Sequence, residues 1–143
     1  MNDTKLILFP NPLLRASSVE YDFSSNIDSL IEKMFTVMYE HGGVGLSAIQ
    51  IGIPLRLVIA DVGEGREVYV NPKIIRLGGT KKLMPEGCLS FPGIYENIIR
   101  PSKITISYQS PDGMHLTLNT GGLRAQMLQH EIEHLDGKLL GGR

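Results

Sequence analysis

A single cysteine in a chain of 143 residues cannot close an internal disulfide, which suits a reducing cytoplasm and leaves Cys88 to be explained on other grounds. An excess of charge of either sign is also missing. The net charge is −1 and the 14 Lys and Arg are spread without clustering along the sequence, so neither nucleic acid nor an anionic membrane is expected as the main partner. No apolar run reaches about 18 residues, the length that would span a bilayer. The segment Met1–Pro10 has no charged stretch followed by a long apolar one, so no signal peptide is expected. Nucleotide-binding loops are lacking too. Gly43-Val-Gly45 has no third glycine of a dinucleotide fingerprint, and no Gly-Lys-Ser/Thr occurs.

What is present describes an ordinary globular domain. Hydrophobic residues make up 42% and charged residues 20%, with no internal repeat, low-complexity tract or linker, so one domain over residues 1–143 is expected. A domain of this size buries roughly two-thirds of its unfolded surface and needs no metal simply to fold.

Ile27, Leu30, Ile31, Met34, Phe35 and Met38 recur at three- and four-residue spacing, one face of a helix that Ser25 and Asp28 would cap and His41-Gly42-Gly43 would end. Leu55–Val62 is a nearly continuous aliphatic run and predicts a buried strand. Further strands are expected over Glu67–Val70, Lys73–Arg76, Lys103–Tyr108 and Met114–Leu118, with turns at Gly63-Glu-Gly65 and Pro111-Asp-Gly113. A second helix is expected from about Gly122 to Leu135, stopping at Gly137. The fold class is α+β, with antiparallel β-sheets packed around that helix.

The chemistry starts with His130-Glu-Ile-Glu-His134, an H-E-x-x-H sequence inside the second helix. Histidines at i and i+4 stack on one face, so both imidazoles can reach one metal ion while Glu131 faces a water without ligating the metal. Leu123 and Met127 lie on the same helical line, which should turn both histidines into the core. Buried there without partners, each would cost on the order of 1–3 kcal/mol. A catalytic metal needs a third protein ligand. Cys88, in Glu86-Gly-Cys-Leu-Ser90, fits that need, although a buried cysteine or a nucleophile would read alike in isolation. The glycines of Gly43-Val-Gly-Leu-Ser-Ala-Ile-Gln50 allow close backbone approach by a ligand or simply a tight turn. An H-E-x-x-H peptidase cutting internal bonds and a closed structural metal site both stay open at this level, and formate release against internal cleavage separates the enzyme classes.

Three blocks in order, Gly43–Gln50, Glu86–Ser90 and Gln129–His134, resemble the signature motifs of the peptide deformylase family, and the likeness runs from Phe9 to Gly137. The resemblance implies removal of the formyl group from the N-formylmethionine of a nascent chain. It implies Cys88, His130 and His134 as ligands of one divalent metal, Fe2+ first, with Zn2+, Ni2+ or Co2+ able to replace it. Glu131 would be the proton shuttle, with Gln50 and the N–H of Leu89 as oxyanion donors. Val44, Leu123 and Met127 would line a pocket for methionine, and the peptide would pair with backbone at Gly43–Gly45 and Leu89. A Glu86–Arg100 ion pair near the metal loop rests on the same likeness. The chain departs from the usual pattern at Ser47 (commonly Ala), Glu133 (commonly Asp) and Tyr95 (often Arg), and the first two changes are expected to be mild. It ends at Leu140-Gly-Gly-Arg143 without the C-terminal helix many members use in ribosome docking, so docking by that route is not expected. A monomer is expected.

Overall fold

The computed structural model describes residues 4–140. Expectations resting on residues 1–3 and 141–143 lie outside the described residues. Two helices, α1 (Asp28–Glu40) and α2 (Gly122–Leu135), accompany five strands: β1 (Gly45–Ser47), β2 (Leu57–Ala60), β3 (Glu67–Cys88), β4 (Phe91–Gln109) and β5 (His115–Gly121). All five form one antiparallel sheet in sequential order, rather than several sheets. Among the described residues, no helix is long and apolar enough to cross a membrane.

β2 explains why its sequence is apolar without alternation. Leu57 and Ile59 join the core that packs on α1, with Ile31, Met34, Phe35 and Met38. Val58 and Ala60 join the core under α2, with Ile104, Ile106, Ala125, Leu128 and Ile132. Successive side chains of a strand point to opposite faces, so helices on both faces require apolar residues at every position. β1 continues the scheme. Gly45 pairs with Ala60 and Ser47 with Val58, so both face α2, while Leu46 pairs with Ile59 and faces α1. A third cluster, Leu14, Phe91, Leu139 and Leu140, packs against Cys88 and ties both chain ends to the hairpin that carries it.

Three expectations change. α1 starts at Asp28 without a side-chain cap from its N-cap residue, Ile27, and it is Asn26 Oδ1 that accepts from the Asp28 N–H at 2.7 Å, so no Ser25 capping box forms. Glu67–Val70 and Lys73–Arg76 are parts of one strand, interrupted by an irregularity between Val70 and Lys73 at which Asn71 takes φ 50°. β3 and β4 also extend far beyond the apolar segments, pairing from Val70–Gln109 to Cys88–Phe91. Their outer part exposes Leu83 at 63% and Ile99 at 64% while burying the polar Glu86 and Arg100, so hydrophobic periodicity carries little trace of it.

Leu128 is completely buried between α2 and the sheet. Leu128→Ala should therefore cost about 2–5 kcal/mol of folding stability, read from the midpoint of urea unfolding. A loss below about 1 kcal/mol would contradict this packing.

Candidate metal centre and active site

The three suspected ligands converge. One ligand atom each from Cys88, His130 and His134 lies within 4.8 Å of the others. Cys88 Sγ is 3.2 Å from His134 Nε2, which is 3.2 Å from His130 Nε2. α2 supplies the histidines one turn apart, and the tight turn between β3 and β4 lifts Cys88 to meet them. Two imidazole nitrogens and a sulfur facing one another at such distances repel through their lone pairs unless a proton or cation lies between them. The donors suit a divalent ion of borderline softness. The electrostatics of the ligands alone agree. Burial disfavours a charged His130 ring, yet Cys88 and Glu86 push its pKa well above 6.5, while burial and then the His130 charge depress His134 to about 3. The cluster calls for one positive charge.

Glu86 orients His130. Its Oε1 lies 3.1 Å from His130 Nδ1, and a carboxylate accepts only, so Nδ1 carries the proton and Nε2 keeps its lone pair for a ligand. Arg100 grips Glu86 in turn, with Nε donating to Oε2 and Nη2 donating to Oε1 at 2.8 Å, and Nη2 also donates to Glu133 at 2.7 Å. The expected ion pair is present and Glu133 extends it. Burial works to raise the Glu86 pKa, but Arg100 and then His130 outweigh it and hold it at about 2. Among the described residues His134 Nδ1 is buried without a hydrogen-bond partner, and the ring's polar contacts are those of Nε2 with Cys88 and His130.

Glu131 is buried beside the ligands, and desolvation raises its pKa against the opposing influence of His130 and the Ser47 hydroxyl. A carboxylate with a raised pKa at the edge of a cleft is suited to take up and return a proton. The cleft measures about 500 Å³. It is lined by Gly43, Val44 and Gly45, by Leu89, Ile94 and Tyr95, and by Leu123, Met127, His130 and Glu131.

Gln50 stands behind this wall, 1% exposed. Its Oε1 accepts from the Ser47 N–H at 2.9 Å, while Nε2 donates to Ser90 Oγ at 3.1 Å and approaches Cys88 Sγ at 3.7 Å. Its donor end is therefore aimed at the ligand cluster.

Other residues differ from expectation. Leu123 is 52% exposed at the rim rather than buried in the helix line, because it sits at the first turn of α2, where the cleft opens. His41 lines the same rim. His115 is exposed on β5. The glycines are needed by the protein's own side chains. A Cβ on Gly43 would fall 2.5 Å from Leu89 Cδ1, and one on Gly45 would fall 2.6 Å from Met127 Cγ and 3.2 Å from Glu131 Oε2. No sequence pattern pointed to Ser47 or Ser90 as partners of Glu131 and Gln50, because both contacts join segments far apart in the chain.

Two histidines and a cysteine sulfur beside a buried carboxylate form a donor set of the kind that hydrolases use to hold a metal ion. Residues 4–143 match the family model described as polypeptide deformylase. The chain is 41% identical to the peptide deformylase of Rhizobium meliloti over 140 residues, covering 94% of this chain and 80% of the relative. It is also 41% identical to the chloroplastic/mitochondrial peptide deformylase 1B of Arabidopsis thaliana, covering 94% of this chain. It spans about half, 52%, of that plant relative and of its Oryza sativa counterpart. Among solved structures, a Synechococcus elongatus peptide deformylase superposes with TM-score 0.92 at 34% identity, covering 97% of this chain and 77% of that one. The Thermotoga maritima enzyme gives 0.89 at 37%, covering 97% and 95%. The chain belongs to the polypeptide deformylase family.

The Arg100–Glu86 pair yields a pH prediction. A carboxylate whose pKa falls on folding from 4.5 to about 2 contributes stability that is complete above 4.5 and is lost as pH falls through 2. Arg100→Met leaves Glu86 buried without a permanent charge partner, with His130 and a long hydrogen bond from Gln126 remaining, so it should cost about 3–5 kcal/mol at neutral pH. The gap between the two proteins should narrow between pH 4.5 and 2 in urea titrations. A gap independent of pH would contradict the pairing.

Proposed function

We propose that this chain is a metal-dependent hydrolase that removes the formyl group from the N-terminal formylmethionine of newly made polypeptides and releases formate. One observation carries the reading: three metal-donor atoms meet beside the buried carboxylate of Glu131 in a cleft bounded by β1, an edge strand of the sheet. Cys88, His130 and His134 would hold one divalent ion, Fe2+ in our reading with Zn2+, Ni2+ or Co2+ able to replace it, which supplies Lewis acidity and acidifies water.

The other residues have separable tasks. Glu131 takes a proton from the attacking water as the C–O bond forms at the formyl carbon, then returns it to the amine nitrogen as the C–N bond breaks. Formate and a free amino terminus result. Negative charge grows on the formyl oxygen meanwhile, and the Leu89 N–H and a Gln50 N–H donate to it. The Gln50 N–H now facing Cys88 Sγ is the one free to turn, since the other already serves Ser90. Val44, Leu123 and Met127 receive the methionine side chain, and the peptide extends along Gly43–Gly45 in strand addition to β1. Leu123 suits this role because it is half exposed at the cleft.

The substrate is thus a formylmethionyl peptide or nascent chain, handled by one catalytic domain acting as a monomer in the cytoplasm. The unpaired thiol of Cys88 is in keeping with a reducing compartment.

The protein incubated with a formyl-Met peptide should release formate, and a chelator should abolish this. Cleavage of internal bonds in an unformylated peptide without formate release would overturn the reading. Glu131→Gln should lower kcat about 10²–10⁴-fold with metal content unchanged. Gln50→Ala should cost about 10²–10³-fold in kcat. The iron form should lose activity in air faster than a nickel form, since thiolate and ferrous iron are both oxidisable.

A further inference from the structure

The two oxygens of the Glu131 carboxylate have different surroundings. Oε1 accepts from Ser47 Oγ at 3.0 Å, and the same hydroxyl lies 2.9 Å from the main-chain oxygen of Glu131. Oε2 lies against Gly45, where an added Cβ would fall 3.2 Å from it, and Gly45 lines the cleft. Among the described residues, Ser47 is the side chain's hydrogen-bond partner.

Strand register explains the asymmetry. Gly45 and Ser47 are two residues apart on β1 and both face α2, one without a side chain and one with a short donor. Glu131 therefore lies over a gap on one side and a hydroxyl on the other. Ser47 is itself held firmly: it is completely buried, its backbone pairs with Val58, and its N–H donates to Gln50 Oε1 at 2.9 Å. A carboxylate's terminal torsion is broad and two-fold, so without this bond the two oxygens would interchange by rotation. The hydroxyl has one proton for two acceptors, and the charged carboxylate is the stronger of them.

We propose that Ser47 is a positioning residue for the reaction: it pins Oε1 of Glu131 and so assigns the transfer of the proton to Oε2, on the cleft side. The serine joins the proton carrier to the oxyanion donor, since its side chain holds Glu131 while its backbone holds Gln50. The exchange of serine for alanine, read from the sequence as mild, is then a functional difference. This inference rests on Glu131 serving as the proton carrier proposed above.

Ser47→Ala in the metal-loaded enzyme tests it. We expect kcat for formate release to fall about 10-fold, with KM within about two-fold and metal content unchanged. In a Glu131→Gln background the same change should leave the residual rate unaltered, because no proton carrier is left to position. A crystal structure of Ser47→Ala should show the Glu131 carboxylate rotated or in two orientations. An unchanged kcat, an equal loss in the Glu131→Gln background, or a carboxylate that stays in place would each overturn the proposal. Absence of formate release from the unmodified protein would instead reject the functional reading, and the crystallographic comparison would still report on the pinning.

Discussion

Two imidazole nitrogens and a sulfur turned toward one another inside a protein store repulsion that something positive must relieve. Nearly everything about this fold can be traced to holding that arrangement. His130 and His134 come from one helix, so their spacing is set by the helical repeat. Cys88 comes from a hairpin turn whose strands run the length of the sheet, so its approach depends on the register of β3 and β4. The helix is pressed against the sheet by Leu128, Ile132 and Leu135, and it is tied at both ends. Arg124 in its first turn grips Glu64 and Glu67, while Arg56 reaches Asp136 just past its end.

Polar groups around the site form two chains that leave from opposite sides. One runs from His130 through Glu86 to Arg100 and Glu133, and it fixes a ligand's tautomer by charge. The other runs from Glu131 through Ser47 to Gln50 and Ser90, and it holds the proposed proton carrier and oxyanion donor through hydroxyl and amide groups. The division is physically apt. A buried histidine in the proposed ligand set profits from a carboxylate behind it.

Much of this was legible in the sequence where the signal was local. The H-E-x-x-H spacing, the apolar run of β2 and the facial pattern of α1 each follow from a periodicity that one element imposes. Less could be read where the cause is tertiary. The outer β3–β4 arm buries the polar Glu86 and Arg100 and exposes Leu83 and Ile99, so it leaves no apolar pattern. The start of α1 rests on Asn26 rather than a capping box. Gly43 and Gly45 read as room for a ligand, but the room is taken first by Leu89, Met127 and Glu131. Ser47 illustrates the limit most clearly: it is 84 positions from Glu131 in sequence and 3.0 Å from it in space.

The central claim, one cation held by Cys88, His130 and His134, is tested most directly by X-ray absorption at the metal edge of the zinc-substituted protein. The account predicts a shell with one sulfur at about 2.3 Å and two nitrogens at about 2.0–2.1 Å, and loss of the sulfur in Cys88→Ser. A shell without sulfur in the unmodified protein would contradict it.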